Sequence, residues 1–259
     1  MTLRIHTSNV AALIGKHKYR PKEKAFLQCW KHNDPTGYHK IRKLIEKEDR
    51  DVLVKQIIHA SGADEDVRLA IQSSNPSEMD TYVQLIDNAV EQHIARAALN
   101  VTPEEIKKDI CSLIYTSKGI AQEETCLDTF ETDVNVPVPH RNDKTYTYKG
   151  GNYTLVGKID GIQQVDGTDV VIENKFRMRR LFHYVPHYER IQILCYLQLT
   201  QCPQAKLVQF FGETHKSTDI FWDEKIWERI NNGLIDVANE YYCMMEDTNK
   251  QKEFMKRYL

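Results

Sequence analysis

The chain has no apolar run that approaches the roughly 18 residues a bilayer-spanning helix requires. Its opening stretch, MTLRIHTSNVAALIG, lacks both the apolar core and the small-residue cleavage site of a secretory leader. No C-x-x-C pair occurs among Cys29, Cys111, Cys126, Cys195, Cys202 and Cys243, so a zinc site of the ribbon or finger kind is excluded. Scattered single cysteines point instead to reduced, mostly buried thiols in an intracellular protein. A charge excess is missing too: 35 Lys and Arg against 37 Asp and Glu leave −2. Nothing global therefore marks a nucleic-acid binder, and any basic surface must be local. Internal repeats and low-complexity tracts are also absent.

What is there suits a globular protein. The 259 residues, 41% hydrophobic and 28% charged, can bury a sizeable core. Helical signals dominate up to about residue 130. Ser8 is read as the N-cap of a helix over NVAALI that Gly15 stops, and Pro21 fits the first turn of the next. The periodic stretch 38–62 reads as one helix ending at Gly62. Asn75-Pro76 opens another, Thr102-Pro103 with Glu105 opens a third, and GIAQEETCLDTFE reads as a separate helix after it. From about residue 133 the pattern alternates with period two. Gly150-Gly151 and Asp166-Gly167 mark two hairpins, and Pro137 and Pro139 demote their segment to an edge strand or loop. A helix over 186–200, the strand AKLVQFF and a long helix over 223–245 complete the prediction. The charged C-terminal tail is expected to fray. The expected class is α+β, with a small mixed β-sheet flanked by helices.

The second hairpin, GKIDGIQQVDGTDVVIENKF, carries three charges among its apolar residues. Residues two apart on a strand share a face, so Glu173 and Lys175 lie together. A two-residue turn at Asp166-Gly167 pairs Asp160 with Glu173, and a four-residue loop pairs it with Lys175. Either places all three on one face, whereas an odd loop or bulge would not. Carboxylates placed opposite one another repel, and a divalent cation between them is one remedy. Oxygen ligands with no histidine or cysteine nearby favour Mg²⁺, or Mn²⁺. Such an ion acidifies a bound water, and a neighbouring lysine can orient that water and balance transition-state charge. Left without a metal, the same residues read as a solvated hairpin face with a surface Glu–Lys pair.

Asp160 followed by Glu173-Asn174-Lys175 resembles the PD-(D/E)xK nuclease superfamily. Asn174, the middle residue, is polar and falls on the opposite strand face. Three further segments resemble the YqaJ-type viral recombinase group, which includes the lambda-type exonucleases. They are HTSNVAALIGKHKYRPKEKAFLQCW, with Ser8, Gly15, Tyr19 and Pro21; GIAQEETCLDTFE, with Glu123; and YERIQILCYLQLT, with Gln192. The resemblance implies a restriction-endonuclease-like core, with Glu123, Asp160 and Glu173 as metal ligands, Lys175 positioning the water, and Gln192 in support. Helical periodicity independently draws an apolar stripe through Ile120, Leu127 and Phe130, and Glu123 falls inside it. Residues 31–114 match none of these motifs and read as a helical insertion in one nuclease domain over 1–259.

Two segments are locally basic. GKHKYRPKEK supplies Lys16, Lys18 and Arg20. KFRMRRLFHYVPHYER supplies Arg177, Arg179 and Arg180, with aromatics interleaved. With Ser8, these are the expected DNA-contacting residues. The expected activity is a Mg²⁺-dependent 5′→3′ exonuclease on duplex DNA ends. By resemblance it serves viral or phage recombination, with a single-strand annealing protein as partner and a homo-oligomer as its assembly. The rivals are an endonuclease of the same superfamily and a non-catalytic DNA-binding module.

Overall fold

Ten helices and seven strands are present among residues 2–45, 50–73, 75–97, 99, 101–134, 136–139, 141, 144–212 and 214–259 of a computed structural model. Strand β1 (Leu3–His6) alternates buried and exposed residues and leads directly into α1 (Thr7–Leu13). His6, not Ser8, occupies the N-cap, so Ser8 lies exposed in the first turn. Gly15, at φ +69°, supplies the left-handed residue that ends this helix region. Helix α2 (Lys22–Asn33) starts directly after Pro21, and α3 (Pro35–Leu44) is capped by Asp34. The stretch expected as one helix over 38–62 instead supplies most of α3 and then α4 (Arg50–Ser61), on either side of residues 46–49, which lie outside the described ones.

Helices α5 (Asp64–Gln72), α6 (Pro76–Ala97) and the first half of α7 (Pro103–Val134) pack with α4 into a helical core of their own around Ile57, Ile86, Val90, Ile106, Ile110 and Ile114. α3 stands apart from it, placing Tyr38 and Ile41 in the main core. α7 is one continuous helix of 32 residues, about 48 Å long, where the sequence suggested two. Gly119 lies inside it without breaking it. The buried ammonium of Lys118 fastens α7 to α5, donating to the Ser73 carbonyl, to Ser73 Oγ at 3.2 Å and to the Ala70 carbonyl at 3.5 Å.

β2 (Tyr146–Lys149) and β3 (Tyr153–Gly157) form the first hairpin, and β1 joins β3 in parallel, giving the order β1-β3-β2. β4 (Gly161–Val165), β5 (Thr168–Phe176), β6 (Gln204–Phe211) and β7 (Thr214–Phe221) form a second sheet in that order, antiparallel, parallel, antiparallel. Helix α8 (His187–Thr200) is the crossover between the parallel pair β5 and β6. β1 and β7 were not foreseen. Helix α9 (Glu224–Met245) precedes α10 (Thr248–Tyr258). The tail expected to fray is thus helical, capped by Asp247, with Met255 and Gln251 buried.

The second sheet is covered on both faces. Val170, Ile172, Val208 and Phe210 meet Cys126, Leu127 and Phe130 of α7. Val171 and Leu207 face the main core, which holds α1, α2, α8 and α9. This is the expected α+β architecture. No helix among the described residues is long and apolar enough to cross a membrane.

Candidate active site

The turn fixes the register. Asp166 (φ 50°) and Gly167 (φ 77°) both adopt the left-handed conformation that a two-residue hairpin turn of the right twist demands. Val165 therefore pairs with Thr168, and the ladder runs back to Gly161 opposite Ile172. Asp160 lies one residue beyond, at the bend between β3 and β4. Its Oδ2 accepts the backbone N–H of Asn174 at 2.7 Å. The side chain thus takes up a ladder donor and is pinned beside Glu173 and Lys175.

Glu173, 1% exposed, receives the Lys175 ammonium on Oε1 at 2.5 Å. Glu123, half-buried on α7, stands close enough to act on the Asp160 carboxyl. Burial first, then the Glu173 charge, and then Glu123 push the Asp160 carboxyl well above the usual carboxylate range. Burial also raises Glu173, against the opposing pull of Lys175. Burial works to lower the Lys175 ammonium, but Glu173 and Asp160 outweigh it and the group stays charged.

Glu173 Oε2 is buried and has no hydrogen-bond partner among the described residues. A buried carboxylate oxygen left bare costs on the order of 1–3 kcal/mol or more. Three carboxyl groups with one bare oxygen suit a hard divalent cation. No three His, Cys, Asp or Glu side chains among the described residues are already arranged to hold one.

Gln192 of α8 donates to the Tyr196 hydroxyl at 2.7 Å. Tyr196, 5% exposed, sits close enough to Glu173, Lys175 and Asp160 for their charges to act on it, while burial raises its hydroxyl. Sequence reading missed Tyr196, although four residues after Gln192 is the next position on the same helix face. Ile120 is 68% exposed, so the stripe that suggested Glu123 is shorter than expected: Cys126, Leu127 and Phe130 form it. The amide of Asn174 is buried on the α7 side of the sheet with no partner for either polar atom among the described residues, and nothing in the structure explains it.

The basic residues divide into two groups. Lys16 and Lys18 are exposed, and Arg20 is held by Asn9 Oδ1 at 2.8 Å and by Gln28. Both partners of Arg20 are neutral amides, so its charge is not cancelled. The segment is fastened to α8 by the His17 ring stacked on Tyr188 at 4.4 Å, and Tyr188 in turn senses the charge of Lys175. Arg179 and Arg180 are exposed. Arg177 is placed differently: both its terminal nitrogens meet Glu189 at 2.7 Å, and the two side chains are 10% and 4% exposed. Its charge is spent internally.

No protein-family model matches the chain. No curated protein matches it either. Among solved structures, the chain is similar to a phage-related exonuclease from Haemophilus somnus 129PT, with 14% identity over 95% of this chain and 96% of that one and a TM-score of 0.46. The alkaline exonuclease LHK-Exo from Laribacter hongkongensis shows 12% identity over 76% and 90%, with a TM-score of 0.44. SSO0001 shows 19% identity over 52% of this chain and 66% of that one, with a TM-score of 0.38. Two of these structures, both at low identity, are thus described as a phage-related and an alkaline exonuclease.

Proposed function

We propose that the chain is a divalent-metal-dependent deoxyribonuclease, a 5′→3′ exonuclease that acts on duplex DNA ends. The observation that carries this reading is the pair of buried carboxyls, Asp160 and Glu173, beside the half-buried Lys175, with Glu173 Oε2 left bare. Two buried carboxyls side by side are costly for a purely structural hairpin. They suit phosphodiester hydrolysis, where charge develops on a phosphate in a low-dielectric site.

Glu123, Asp160 and Glu173 would hold Mg²⁺ or Mn²⁺, which when bound supplies Lewis-acid polarisation of the phosphate and a more acidic water. Lys175, tethered to Glu173, orients the attacking water and offsets negative charge as its oxygen bonds to phosphorus and the ester oxygen leaves. Gln192 and Tyr196 wall the site from α8 and keep bulk water out. Lys16, Lys18, Arg20, Arg179 and Arg180 track the phosphate backbone. The sequence resemblance extends the reading to recombination in a virus or phage, with a strand-annealing partner.

The test is digestion of end-labelled linear duplex and of closed circular DNA, with Mg²⁺, with Mn²⁺ and with chelator. Progressive release of label from linear DNA that chelator stops, with circles left intact, is the expected result. Cleavage of circles would replace the exonuclease by an endonuclease. Intact DNA in every condition would overturn the nuclease reading.

A further inference from the structure

Residues 177–186, between β5 and α8, form no regular structure, yet they carry Arg179 and Arg180 directly after the strand that ends the Glu173–Lys175 face. An irregular segment has no ladder to hold it, so its backbone groups need other partners. Gln209 of β6, fully buried and paired with Lys175 across the sheet, provides them. Its Oε1 accepts from Phe182 N at 3.2 Å and its Nε2 donates to Phe182 O at 3.3 Å. The same Oε1 accepts from Arg177 Nε at 2.8 Å. Arg177 then closes on Glu189 of α8 with two parallel bonds, and the Phe182 ring lies 4.2 Å from its guanidinium carbon. One buried amide thus ties together the segment, the end of β5 and the start of α8.

Every member of this network is satisfied, which is the condition under which buried polar groups fix one arrangement. A plug whose only task were packing would be served as well by apolar side chains. What this network holds in place is the backbone that presents two exposed guanidiniums within five residues of Lys175. We infer that Gln209 and Arg177 are positioning residues, which hold the 177–186 segment so that Arg179 and Arg180 meet a nucleic-acid backbone beside the site. This rests on the nuclease reading above.

The test is a double-mutant cycle on DNA affinity, with Gln209→Leu, the pair Arg179→Ala and Arg180→Ala, and all three together. Dissociation constants for a labelled duplex are measured by anisotropy in chelator over a salt series, so the readout does not depend on cleavage. Removing the two arginines should flatten the salt slope by about two. Gln209→Leu alone should weaken binding several-fold and flatten the slope in the same direction. In the Gln209→Leu background, the arginine substitutions should cost clearly less than in the wild type, because coupled residues are not additive. Equal costs in both backgrounds would overturn the positioning role, since general loosening of the fold leaves the effects additive. If Gln209→Leu does not fold, Gln209→Glu, which replaces the donor to the Phe182 carbonyl by an acceptor, goes through the same cycle with the same two outcomes. Wild-type protein that neither binds nor cuts duplex DNA would remove the nuclease reading itself, whereas binding with an additive cycle removes only this inference.

Discussion

Asp160 is where the fold and the proposed chemistry pull against each other. Its native carboxyl holds a proton to higher pH than an ordinary Asp, at about 3.9, because of burial and the neighbouring Glu173. In the unfolded chain the proton leaves at the ordinary value. Stability is therefore full below that value and falls as pH rises towards the native one. A divalent cation competes with that proton, so its stabilising effect should grow in the same direction. We expect the Tm in chelator to fall as pH rises above the ordinary Asp value, and Mg²⁺ to restore it more as pH rises. Asp160→Asn should remove much of both effects and lower the hydrolysis rate by about 100-fold or more. A flat Tm profile in chelator would contradict the electrostatics assigned to this residue. The faces of Asp160, Glu173 and Lys175 were legible in the sequence because strand period and an Asp-Gly turn fix them. Arg177 was not, since its partner Glu189 lies twelve residues on and only the crossover into α8 brings the two together.

At the level of elements, local signals read well and distant ones did not. Both hairpins could be placed from their turn residues alone. β1 is four residues long and pairs in parallel with β3, some 150 positions away, so no local pattern announces it. β7, THKSTDIF, is an edge strand with a mostly polar surface, and its apolar signal is correspondingly weak. Gly119 suggested a break in α7 because glycine is a poor helix former, but packing at both ends of the helix overrides that preference. A Cβ added at Gly119 would meet nothing within 4 Å. Gly119→Ala should therefore stabilise the protein by about 0.5–1 kcal/mol, read as a higher urea midpoint with unchanged slope. A lower midpoint would mean that α7 needs the freedom of glycine at this turn.

Over the whole molecule, burial sorts the thiols. All six cysteines are free, and only Cys243 is exposed. Burial pushes the Cys29 and Cys126 thiols up to about 12, far from the thiolate form that reacts. A thiol titration of native protein should find Cys243 fast, Cys111 slower and the others silent, and unfolding should release all six. Fewer than six after unfolding without reductant would reveal a disulfide that this fold does not contain. α7 joins the molecule's two larger bodies. Lys118 anchors it to the helical core, while Cys126, Leu127 and Phe130 anchor it to the sheet. Glu123 stands between these anchors, five residues from one and three from the other. In mechanical terms it rides at the fulcrum: at a rise of about 1.5 Å per residue, the arm from Lys118 is only about 7.5 Å. Rocking of the helical core by about 10° would therefore shift this carboxyl by little more than about 1 Å. Flexing at the far end of a long helix is thus geared down before it reaches the carboxyl that α7 brings to Asp160.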